Sequence, residues 1–92
     1  MVNNKLNNIR KKLDKLDDKF LILVKKRVKL VNEVLKTKKY KNQIIDKKRI
    51  KKILSNIKIK SQKKNIDVKV TKDIWKSMIN TFIKYEFRNF KK

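Results

Sequence analysis

Glycine, proline, cysteine and histidine are all missing from this 92-residue chain. Without cysteine there is no disulfide and no thiol nucleophile, and without cysteine and histidine the Cys/His metal sites are gone as well. The lack of histidine removes the side chain that most readily moves protons near neutral pH. The lack of glycine rules out the loops that cradle phosphates. Long apolar runs are absent too. The longest is Phe20–Val24, far below the ~20 residues that cross a bilayer. The opening MVNNKLNNIR has no apolar region of the signal-peptide kind. A chain of this length has room for only a modest core. Together these absences lead us to expect one small helical domain over residues 1–92, soluble and cytoplasmic, without cofactor, metal or membrane partner.

Acidic residues are scarce, 8 against 30 lysines and arginines, for a net charge of +22. Such a balance ordinarily suggests nucleic acid or an acidic surface. Along the sequence, however, the charge is spread rather than gathered into one block. It is nearly all lysine, accompanied by abundant isoleucine and asparagine, the trio that an adenine- and thymine-rich genome tends to write. The charge therefore reads as composition, and nucleic acid is not the expected partner. Affinity for duplex DNA measured against salt separates the two readings.

What the chain does have is helical periodicity. Leu6, Ile9, Leu13, Leu16, Phe20 and Leu23 recur at spacings of three and four, which predicts one helix over about 4–39 with a coiled-coil-like seam. At ~1.5 Å per residue such a helix is roughly 54 Å long, whereas a compact domain of this size has a radius of gyration of only about 12 Å. A homodimer that lays a second long helix alongside is the simplest remedy. Residues 40–45, YKNQII, read as a connection. Asp46 reads as an N-cap, and Ile50, Ile53, Leu54 and Ile57 mark a second helix over about 46–62. After the polar SQKKNID, Asp67 caps a third helix with Val70, Ile74, Trp75, Met78, Ile79, Phe82 and Ile83 on its apolar face. Trp75, Met78 and Phe82 are read as core. The expected fold is all-α, three helices in long–short–medium order, forming an intertwined helical homodimer.

One cation breaks the seam. Where the series calls for another apolar residue after Leu23 the chain has Arg27, and the series resumes at Leu30 and Val34. Arginine is rare here, limited to Arg10, Arg27, Arg49 and Arg88. It differs from lysine where a planar fork must grip a carboxylate or phosphate. An unpaired charge within a seam costs several kcal/mol, so Arg27 is a candidate anion site, with an interfacial ion pair to an aspartate as the structural alternative. Lys38 follows eleven residues later, about three turns along the same face, although Lys36 and Lys39 compete on composition. Arg10 lies seventeen residues before Arg27, roughly 25 Å along the axis. Only antiparallel packing of two copies brings these two arginines together. Asp46 and Arg49, by spacing alone, read as a cap and a surface pair. Glu86 is one of two glutamates, near the end of the third helix's apolar face, where an ordinary salt bridge to a lysine is the plain explanation.

Taken together, these positions resemble the all-helical chorismate mutase family. Its first helix, L-x-x-L-R-x-x-I-D-x-I-D, appears as Leu6-NN-Ile9-Arg10-KK-Leu13-Asp14-K-Leu16-Asp17. Its R-x-x-L-V-x-x-V appears as Arg27-VK-Leu30-Val31-NE-Val34, followed by Lys38. Its D-x-x-R appears as Asp46-Lys47-Lys48-Arg49, and Glu86 stands where the family has Gln or Glu. The resemblance implies an intertwined dimer with two sites, each borrowing Arg10 from the partner chain. It further implies that a small dicarboxylate, chorismate, rearranges to prephenate in aromatic amino-acid biosynthesis, the shikimate pathway, without acid–base or covalent steps. Arg10 and Arg27 would hold the carboxylates with support from Arg49. Lys38 and Glu86 would face the ether oxygen, and Asp46 the ring hydroxyl. Glu86 must be protonated to donate to that oxygen, so activity should favour mildly acidic pH.

Three positions depart from the pattern. Ile50 replaces the Glu usual after D-x-x-R, Phe82 replaces a small hydroxyl residue four positions before Glu86, and the loop after Lys38 is short. These features are similar to the isochorismate pyruvate-lyase branch of the same fold, which usually has Gln at the Glu86 position. The lyase is thus the second reading. A basic nucleic-acid-binding module is the third, and a non-catalytic dimer follows if Ile50 and Phe82 close the pocket.

Overall fold

The computed structural model describes residues 2–91, among which it has three α-helices and no strand. They are α1, Val2–Thr37; α2, Lys47–Lys63; and α3, Val68–Asn89, with a single 3₁₀ turn at Lys41–Gln43 between α1 and α2. This is the expected all-α, long–short–medium order. No helix of the described residues is long and apolar enough to cross a membrane. By its contacts the chain divides into two compact units, Met1–Glu33 and Val34–Lys92.

The first unit is the greater part of α1. Its leucines and lysines favour helix, and no glycine or proline interrupts them. The expected seam is fully helical, yet every seam residue in this unit is exposed, from 43% at Leu6 to 61% at Leu23. Arg27 is exposed with them, so the desolvation anticipated for a cation in this seam is absent from the single chain. A second stripe, Val24, Val28 and Val31, is half-covered instead. Valines on a face adjacent to a longer leucine series carry a weaker periodic signal, and of the three only Val31 stands at a named position of the R-x-x-L-V-x-x-V pattern.

The second unit contains the last residues of α1, the 3₁₀ turn and the α2–α3 hairpin. Asp46 caps α2 by accepting from the Arg49 backbone N–H at 2.9 Å, and Asp67 caps α3 by accepting from Lys69 N–H at 2.8 Å. Each satisfies a donor that the first helical turn leaves without an intrahelical partner. At its other end α2 closes with Asn65 in the left-handed region at φ 56°. Ile66 N–H bonds to Ser61 C=O at 2.9 Å, and Asn65 N–H bonds to Gln62 C=O at 3.2 Å. This is the paired 6→1 and 5→2 closure that normally calls for glycine. In a chain without glycine, asparagine takes the position, because its short polar side chain tolerates that backbone best among the rest.

α2 packs on α3. Ile50, Ile53, Leu54 and Ile57 of α2 and Trp75, Met78, Ile79, Phe82 and Ile83 of α3 are half-buried, whereas Val70 and Ile74 of the expected face are exposed. The most buried residues of this unit include polar ones. Ser61 and Thr71 are both buried, with their hydroxyls 2.8 Å apart. Ser61 Oγ donates to Ile57 C=O at 2.6 Å. With one proton per hydroxyl, Thr71 then donates to Ser61, and its 3.2 Å approach to Val68 C=O is the weaker contact. No buried side-chain nitrogen or oxygen among the described residues lacks a partner, as a small core requires.

Candidate active site

Lys38 lies just past the end of α1, which stops at Thr37 rather than running to residue 39. Its backbone N–H closes onto Leu35 C=O at 3.1 Å, a tight i to i−3 bond, and the chain then leaves the helix. The connection that follows is held by Gln43. Its Oε1 accepts from the backbone N–H of Lys39 at 2.7 Å and of Tyr40 at 3.0 Å. Ile44, in the same connection, is 3% exposed and anchors the loop in the core. Gln43 and Ile44 escaped the sequence reading, since a short polar loop has no periodicity from which to infer them.

This loop aims Lys38 inward. Its Nζ lies 3.1 Å from Glu86 Oε1 and donates to Ile44 C=O at 3.5 Å. Forty-eight residues separate the two charged partners. Glu86, near the C-terminal end of α3, is only 6% exposed, and the Lys38 side chain is 16% exposed. A buried carboxylate without a partner would be strongly unfavourable, and the lysine supplies the compensating charge. Phe82, one turn before Glu86 on α3, sets its ring edge-on to Tyr85 with centroids 6.3 Å apart, and the Arg88 guanidinium lies 5.9 Å from the Tyr85 centroid.

Beside the pair is an open cleft of about 560 Å³ lined by Thr37, Lys38, Gln43, Ile45, Asp46 and Lys47. It combines two ammonium groups with one carboxylate and two neutral polar groups. Asp46 serves its cap through Oδ1, and a carboxylate has a second oxygen with which to accept. Arg49, at the third position of α2, is exposed.

The structure thus brings together Lys38 with Glu86, and Lys38 with Asp46, all within the second unit. Arg10 and Arg27 lie on α1 in the first unit, both exposed. Among the described residues no group of three or more histidine, cysteine, aspartate or glutamate side chains could hold a metal ion.

Fold and site together define a class: an all-helical domain in which the Lys38–Glu86 ion pair lies beside an open, charged cleft. The chain belongs to the chorismate mutase type II family, whose model matches residues 9–87. No curated protein and no solved structure matches it.

Proposed function

We propose that this chain is a chorismate mutase, converting chorismate to prephenate in aromatic amino-acid biosynthesis, with residues 1–92 acting as one domain of a homodimer in the cytoplasm. The observation that carries this reading is the Lys38–Glu86 pair, buried at 3.1 Å, beside a cleft that also holds Asp46, in a chain of this family.

In this rearrangement one C–O bond breaks as one C–C bond forms, and no proton or covalent adduct is exchanged with the protein. A chain without histidine or cysteine is equal to that task. The protein has to hold the reactive chair-like conformer and stabilise charge developing on the ether oxygen. Arg27, with Arg10 from the partner chain, takes the substrate carboxylates, and Arg49 supports them. The ether oxygen enters between Lys38 Nζ and Glu86, which must separate to admit it, and Asp46 accepts from the ring hydroxyl. Loss of one such donor typically costs about 10²–10³-fold in rate.

The test is prephenate formation from chorismate by the wild type and by Arg27→Ala, with a fall of about 10²-fold or more expected in the variant. Equal activity in the two would remove Arg27 from the site. A second reading, isochorismate pyruvate lyase, is favoured by half-buried Ile50 and Phe82 where mutases usually carry glutamate and a small hydroxyl residue. Salicylate and pyruvate from isochorismate, with no prephenate from chorismate, would select it.

A further inference from the structure

The lysines and arginines follow chain length, 20 of the 30 falling in residues 34–92, which also hold 4 of the 8 acids. Three of those four acids are already engaged: Asp46 and Asp67 cap helices, and Glu86 pairs with Lys38. α2 is the extreme case, with seven lysines and one arginine in its 17 residues and no acid at all. All eight of these cations are exposed.

Lys48, Lys52 and Lys63 share the face of α2 opposite Ile50, Ile53, Leu54, Ile57 and Ser61, because spacings of four and eleven residues return to nearly the same angle. Between them that face carries Ser55, Asn56, Ile59 and Gln62, all exposed. We propose that this face of α2 is a docking surface for the backbone of duplex nucleic acid. From Lys48 to Lys63 it runs roughly 22 Å, a length over which one strand presents about six phosphates. Lysine contributes point charges without the planar fork that reads base edges, so binding is independent of sequence. Ser55, Asn56 and Gln62 add the neutral donors commonly found on phosphates. A membrane surface fits less well. Such helices turn a broad apolar face to the lipid, whereas the apolar face of α2 is the one packed on α3 and its outer face offers only Ile59.

The experiment is fluorescence anisotropy of the full chain on a random-sequence 30-base-pair duplex DNA, titrated from about 50 to 300 mM salt. The triple variant K48Q/K52Q/K63Q is compared with K11Q/K15Q/K19Q, which removes the same charge from α1. Circular dichroism and thermal melting establish that both variants remain folded. Wild type should bind with a steep salt dependence, and the α2 variant should flatten the log–log slope by about 2.7, or 0.9 for each phosphate that a lysine no longer neutralises. The α1 variant should keep the wild-type slope. Equal flattening in both variants would mean that net charge alone drives binding and would overturn the surface. So would wild-type binding to phosphatidylserine vesicles without binding to the duplex.

Discussion

At the scale of single residues the centre of interest is the Lys38–Glu86 pair. Periodicity alone could place Glu86 near the end of an apolar face and Lys38 in a run of lysines. It could not join two residues forty-eight positions apart, because spacing within a helix says nothing about which loop turns back onto which face. The family resemblance set both residues toward one ether oxygen, and the structure joins them directly at 3.1 Å. Two consequences belong here. Lys38→Met leaves the Glu86 carboxylate buried without its cation, and denaturant unfolding at neutral pH should show a loss of about 3 kcal/mol. On the proposed mechanism Glu86 faces the ether oxygen together with Lys38, so Glu86→Ala should lower prephenate formation by about 10²-fold or more. Unchanged activity in that variant, with the fold intact by circular dichroism, would remove Glu86 from the ether oxygen.

At the scale of elements the boundaries of α2 were more legible than those of α1. Asp46 and Asp67 announced the beginnings of α2 and α3 because a carboxylate before an apolar series has a definite capping use. The C-terminus of α1 fell two residues short of expectation, since no glycine or proline marks the exit and lysines continue through it. The close of α2 was read within one residue from the polar SQKKNID, at about 62 against Lys63, although asparagine stands where glycine normally gives the signal. Asn65→Gly should leave stability unchanged or raise it. Asn65→Ala should lose about 1 kcal/mol by placing a Cβ without compensating polarity in the left-handed region, a shift of about 4–8 °C in Tm for a domain of this size. The buried Ser61–Thr71 pair was also invisible, because isolated hydroxyls in lysine-rich segments have no period. Ser61→Ala should cost about 1 kcal/mol, whereas Ser61→Ala combined with Thr71→Val should cost less, since both partners then become apolar. A double-mutant cycle on Tm measures the difference.

At the scale of the whole molecule, the seam that the sequence set out so plainly is the part the single chain leaves uncovered. Leu13, Leu16, Phe20, Leu23 and Leu30 are each more than half exposed, a density of bare leucine that is unusual for an isolated helix in water. The proposed homodimer would cover it with a second α1, and it has a catalytic consequence that a merely structural dimer lacks. If each site takes Arg27 from one protomer and Arg10 from the other, Arg10→Ala and Arg27→Ala homodimers have two damaged sites each. A mixed dimer concentrates both lesions in one site and leaves the other intact. Equal amounts of the two inactive variants, unfolded together and refolded to exchange partners, should therefore recover about a quarter of wild-type mutase activity, half the dimers being mixed with one good site of two. Refolding each variant alone should recover none. Failure of the mixture to exceed its components, with sedimentation showing dimers, would place Arg10 and Arg27 in the same chain's site or leave Arg10 out of catalysis altogether.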